Sequence, residues 1–193
     1  MPVGWNWSSS CTVTCSHLIL IAPARPSETE SPLSSAPTMS RAPPVAPSAI
    51  NAQDKVFTKE GFKDTTTPLA LTIPQIHGIT QDFRRAARNA LAAGFDGVEI
   101  HSANGYLFHQ FFVNCANTRS DEYGGSHENK TRFFFETLQE VGREIGFNRV
   151  GVRLNPSAHG FFGITIDQGI ERMHERMPLP EVNFLAIVIA IQQ

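Results

Sequence analysis

Apolar residues recur along the middle of the chain at two different periods, and the alternation between them lays out a fold. Ile76, Ile79, Phe83, Ala87, Ala90 and Leu91 repeat at three- and four-residue spacing, which predicts a helix from about Ile73 to Ala93. Thr72, Pro74 and Gln75 form a capping-box start, and Gly94 is placed to end the helix in a left-handed turn. A short apolar strand, Asp96 to Ile100, follows at once. The same plan then repeats. Ser126 caps a second helix with Phe134, Leu138, Val141 and Ile145 on one stripe, Gly146 stops it, and Arg149 to Leu154 is the next strand. Helices and strands alternating over short connections predict α/β architecture with parallel strands and right-handed crossovers, in an open doubly wound sheet or part of a β/α barrel.

The flanks read differently. Residues 23–49, "PARPSETESPLSSAPTMSRAPPVAPSA", are rich in Pro, Ser, Ala and Thr and lack apolar periodicity. Such a segment buries too little surface to offset its ordering entropy. Residues 1–50 are therefore expected to be irregular, with a domain spanning 51–193. Within the first part, His17 to Pro23 is an apolar run that periodicity cannot assign. Beyond Pro156, a helix over Asp167 to Met177 and a β-branched parallel strand within Val182 to Ile191 are expected.

Bulk properties narrow the class. With 193 residues, 41% hydrophobic content and a net charge of -2, the chain reads as one soluble domain with no charge run suited to nucleic acid or a membrane surface. The run Leu18 to Ala22 is too short to cross a bilayer and no basic region precedes it, so a cytoplasmic location is expected. Three cysteines, Cys11, Cys15 and Cys115, suit reduced thiols better than a disulfide framework. A small-molecule partner fits this balance, and the oligomeric state is left open.

The chemistry concentrates where the first strand ends. In "DGVEIHSANGYL", Asp96 to Leu107, a buried strand gives way to His101, Asn104 and Tyr106 around Gly105. In parallel α/β folds, reactive groups collect at the carboxyl ends of strands. His101 and Asn104 can present two N–H donors to one oxygen and stabilise charge developing on it, and the Tyr106 phenol suits proton delivery to a carbanion-like centre. Taken singly, each has a plainer role: a strand cap, a turn and a packing contact. Arg153 ends the second strand with a permanent cation on the same side, suited to an electron-rich cofactor ring or phosphate, or to an ion pair with a loop carboxylate. Arg119, Asp121, Glu128 and Arg132 read as an ion-pair lattice holding the loop still. His77, His109, His127, His159 and His174 have no metal-ligand spacing, so no metal is expected, and no glycine-rich dinucleotide fingerprint is present.

"AAGFDGVEIHSANGYLFHQFF", "NTRSDEYGGSHENKTRF" and "RVGVRLNP" together resemble the central segment of the old yellow enzyme family, over roughly Leu71 to Pro156. The resemblance implies an eightfold β/α barrel, here in part, and FMN-dependent, NADPH-driven reduction of the C=C bond of an enone or enal. It implies that His101 and Asn104 hold the substrate carbonyl oxygen. It also implies that Tyr106 protonates the α-carbon after flavin N5 delivers hydride to the β-carbon, and that Arg153 lies against the FMN pyrimidine edge. Phe108 and His109 stand where the family usually has smaller, acidic or amide residues, and Lys130 stands for a common arginine. The rival readings are an inactive relative and a non-enzymatic subunit pairing through exposed sheet edges.

Overall fold

The computed structural model describes residues 18–21, 44–58, 61–155 and 187–189. A four-stranded sheet runs in the order β1 (Leu18–Ile21), β6 (Gly97–His101), β7 (Val150–Leu154), β8 (Ile187–Ile189). The short strands β2 (Val45–Ala46) and β5 (Leu69–Ala70) pair in parallel, and β3 (Lys55–Thr58) with β4 (Gly61–Asp64) forms an antiparallel hairpin. Three helices, α1 (Ile73–Ala92), α2 (Leu107–Phe112) and α3 (His127–Ile145), complete the described elements with a single 3₁₀ turn at Phe147–Arg149.

Both long helices lie within a residue of the ranges their sequence predicts. At the start of α1 the Thr72 N–H donates to Gln75 Oε1 at 2.9 Å, closing the capping box. Ser126 Oγ accepts from the Asn129 N–H at 3.3 Å at the start of α3. Gly94 follows α1 with φ +89°, a backbone that costs glycine little and any side chain more.

Strands β6, β7 and β8 are parallel, with Val98 beside Val150, Ile100 beside Val152 and Leu154 beside Ile189. The expected strand near the end of the chain is thus present over Ile187–Ile189, while the helix expected at Asp167 to Met177 lies outside the described residues. Strand β1 departs from the expected all-parallel sheet, because it pairs antiparallel with β6, Leu18 beside Ile100 and Ile21 beside Gly97. An apolar run reads the same in either direction, and antiparallel pairing satisfies an exposed strand edge at least as well. The described structure also includes residues just before the expected boundary at residue 50. Residues 44–50 are tied to the helical body: the Thr118 N–H donates to Ser48 Oγ at 3.0 Å, and Arg119 Nη1 donates to Pro47 O at 2.9 Å.

The core lies between one face of the sheet and the helices. Val98, Ile100, Val150, Val152 and Leu154 join Ile76, Phe83, Ala87, Phe111, Phe133, Phe134, Leu138 and Val141 in one buried cluster. Phe108 sits at its centre, with ring centroids 5.2 Å from Phe83, 4.6 Å from Phe133 and 5.8 Å from Phe134. Buried aromatic rings at these separations add edge and offset contacts to the burial itself. The bulky residue at this position therefore fills the space under α2. Lys130, also buried, donates from Nζ to Asn114 Oδ1.

Candidate functional site

Side chains alternate across a strand, so with Val98 and Ile100 in the core, Glu99 and His101 take the opposite face of β6. In register beside them on β7 are Gly151 and Arg153. All five residues of β6 are buried, which places a carboxylate and an imidazole away from water.

The ladder continues one step past β6, where the Ser102 N–H donates to Arg153 O at 2.9 Å. The chain then reverses. Asn104 and Gly105 both have positive φ, +53° and +79°, and the Tyr106 N–H returns to Ala103 O at 3.1 Å, the pattern of a type I′ turn for which Asn-Gly is the preferred pair. Two side chains from α2 grip the turn by its glycine. The Gly105 N–H donates to His109 Nδ1 at 3.0 Å, and Gln110 Nε2 donates to Gly105 O at 2.7 Å.

This geometry fixes the donors. His101 Nδ1 accepts from the Ala103 N–H at 3.2 Å, so that nitrogen is unprotonated and the neutral ring carries its proton on Nε2. The Tyr106 ring stands edge-on to the His101 ring with centroids 4.4 Å apart. Asn104 Oδ1 accepts from Asn155 Nδ2 at 2.8 Å, so the Asn104 amino group is the end turned away from that bond. His101, Asn104 and Tyr106, singled out in the sequence, are therefore brought together at the carboxyl end of β6, and the plain roles of turn and packing coexist with the chemical arrangement.

Arg153 shows the ion pair that its sequence context left open, but with a strand carboxylate instead of the loop one expected. Its Nε donates to Glu99 Oε1 at 2.6 Å, while the rest of its guanidinium keeps four N–H donors. The Glu99 side chain is 6% exposed and that of Arg153 33%, so the carboxylate is the buried anchor and the cation the accessible end. The four-membered lattice expected around Arg119 takes a different form. Arg119 pairs with Asp121 through Nε and Nη2, and this guanidinium draws the Asp121 carboxyl below its ordinary value. Arg132 instead donates to Glu122 O and Asn129 Oδ1. With Arg119 Nη1 also on Leu71 O and Pro47 O, the role of this group is to hold the loop against β5 and the start of α1.

Three residues around the site escaped the sequence reading. Glu99 was legible as a charge in an apolar strand two residues before His101. Asn155 was legible as the polar residue directly after β7. His109, read as ordinary, is 1% exposed, its Nδ1 holds Gly105, and Nε2 has no hydrogen-bond partner among the described residues. Nothing in its spacing distinguished it.

The model of the NADH:flavin oxidoreductase / NADH oxidase family matches residues 26–179. The chain is 56% identical over 93 residues to 12-oxophytodienoate reductase 2 of Arabidopsis thaliana, covering 48% of this chain and 25% of that protein. It is 48% identical over 115 residues to the putative 12-oxophytodienoate reductase-like protein 1 of the same plant, covering 60% and 36%. Among solved structures, the old yellow enzyme homologue from Zymomonas mobilis superposes with TM-score 0.64 at 42% identity, over 68% of this chain and 36% of that one. Morphinone reductase in complex with tetrahydroNAD superposes with TM-score 0.60 at 44% identity, over 65% and 36%. The chain thus spans between a quarter and about a third of the length of these relatives. Because the matched segment includes the whole of the donor-bearing turn and the strand that carries Arg153, the chain belongs to the NADH:flavin oxidoreductase / NADH oxidase family, with old yellow enzymes as its structural kin.

Proposed function

We propose that the chain carries the substrate-polarising part of a flavin-dependent ene-reductase site, acting on the C=C bond of α,β-unsaturated carbonyl compounds. The observation that carries the reading is the convergence of His101, Asn104 and Tyr106 on one turn, with Arg153 in register on the adjacent strand. In this reading β6, β7 and β8 are an arc of an eightfold β/α barrel, and the carboxyl ends of its strands face the substrate.

The fit to FMN rests on the donor set. Arg153, held by Glu99 on the same face as His101, offers cationic N–H groups to the electron-rich edge of a ring. When bound, FMN supplies the electron pair, renewed by a nicotinamide cofactor for which NADPH is the proposed donor. His101 Nε2–H and the Asn104 amino group hold the substrate carbonyl oxygen and stabilise the charge that develops on it. The Tyr106 phenol gives a proton to the α-carbon, because it stands beside the His101 ring on the same turn.

The test is NADPH oxidation by the purified chain with FMN and a cyclic enone. Tyr106→Phe is expected to lower turnover by a factor of about 10²–10⁴, the usual weight of one positioned acid. Equal rates for variant and parent would remove Tyr106 from the mechanism, and failure of added FMN to co-elute with the parent on gel filtration would remove the cofactor.

A further inference from the structure

We propose that Asn155 is a positioning residue that decides which end of the Asn104 carboxamide faces the reacting carbonyl. The inference rests on the ene-reductase reading of the site. The amino group and oxygen of a carboxamide have nearly the same shape, so packing alone chooses poorly between an orientation and its flip. A hydrogen bond chooses well. Asn155 directly follows β7, is 3% exposed, and donates from Nδ2 to Asn104 Oδ1 at 2.8 Å. With that oxygen engaged, Asn104 presents N–H donors to a substrate. The flipped orientation would present a lone pair to the carbonyl oxygen, at the atom where negative charge has to be stabilised.

Asn155 acts on this amide and not on the fold of the turn. The turn is fixed separately, by His109 and Gln110 on Gly105 and by the return bond from Tyr106 to Ala103. The two asparagines meet because β6 and β7 are parallel neighbours whose ladder continues through Ser102 and Arg153. Asn155 therefore couples the end of one strand to the donor chemistry at the end of the next.

Asn155→Asp preserves shape and inverts the chemistry, since a carboxylate only accepts and draws the Asn104 amino group toward itself. Asn155→Ala releases the amide to sample both orientations. The probe is cyclohexanone, a neutral saturated ketone that binds without being reduced, titrated by NMR into the full chain with FMN. Binding is expected to weaken roughly tenfold in Asn155→Asp, the loss of one hydrogen bond. In Asn155→Ala it is expected to weaken about twofold, as the competent fraction falls to about half. In the ligand-free parent, a scalar coupling across the hydrogen bond from Asn155 Nδ2 to Asn104 Cγ is expected, and a coupling in the reverse direction would overturn the proposal. Equal ketone binding by the parent and Asn155→Asp would overturn the role of Asn155 alone. Failure of the parent itself to bind the ketone would overturn the site reading on which it rests.

Discussion

His109 shows how much of a residue's role depends on what surrounds it. Buried beneath the Asn104–Gly105 turn, its imidazole is pushed down to about 4 from an ordinary 6.5 by loss of hydration, and it serves as a neutral acceptor for the Gly105 N–H. The unfolded chain takes up a proton near 6.5 and the folded chain does not until about 4, so acid favours unfolding between those values. Denaturant unfolding should show stability falling by about 3 kcal/mol from this group as the pH is lowered through that window. Asn at this position offers an acceptor oxygen that does not titrate, so His109→Asn should flatten the fall, and an unchanged pH profile would place His109 outside it. The donors His101, Asn104 and Tyr106 were readable because three such groups crowd one turn after an apolar strand. Glu99 and Asn155 were not singled out, and His109 was marked only as a departure from the family pattern, since their function is to hold other groups, and the partners they hold come from another element or register position.

At the level of elements, the capping residues and the apolar periods gave both long helices and their two following strands to within a residue or two. The short helix α2 escaped because six residues carry less than two turns of period, and its aromatic run reads equally as a strand. Two contacts between elements are open to test. A Cβ added at Gly97 would lie 2.5 Å from Arg149 O, just before the neighbouring strand β7, a backbone atom with little room to yield. Gly97→Ala should therefore cost about 1–3 kcal/mol in thermal or denaturant unfolding, and a neutral effect would mean the two strands separate more easily than their register implies. Helices α1 and α3 are joined by Glu144, which accepts from Arg88 Nε and Arg84 Nε, and these two guanidiniums hold its carboxyl down to about 2 from 4.5. That contribution is complete above 4.5 and is lost as the pH falls through about 2. Glu144→Gln should remove this part of the acid limb, seen as a smaller drop in melting temperature between those values than the parent shows.

At the scale of the molecule, the described sheet has β1 and β8 as its outer strands, whereas a closed barrel has no outer strands. Strand β1 covers the β6 edge through four antiparallel pairs, so it should shield that edge from other chains. A proline within it lacks a ladder N–H, and Leu20→Pro should raise the weight-average mass in sedimentation above that of the parent at equal concentration. No difference between the two would deny β1 this role. The sequence by itself determined the two long helices, the strands that follow them, the α/β alternation and the donor-rich turn, because apolar period, capping residues and turn pairs act over a few residues and are written in local order. The direction of β1, the pairing of Arg153 with Glu99 and the bond from Asn155 to Asn104 were decided only by the tertiary structure. Each depends on which backbone edges and buried polar groups meet across long stretches of chain, and burial makes that meeting obligatory without any local pattern naming the partner.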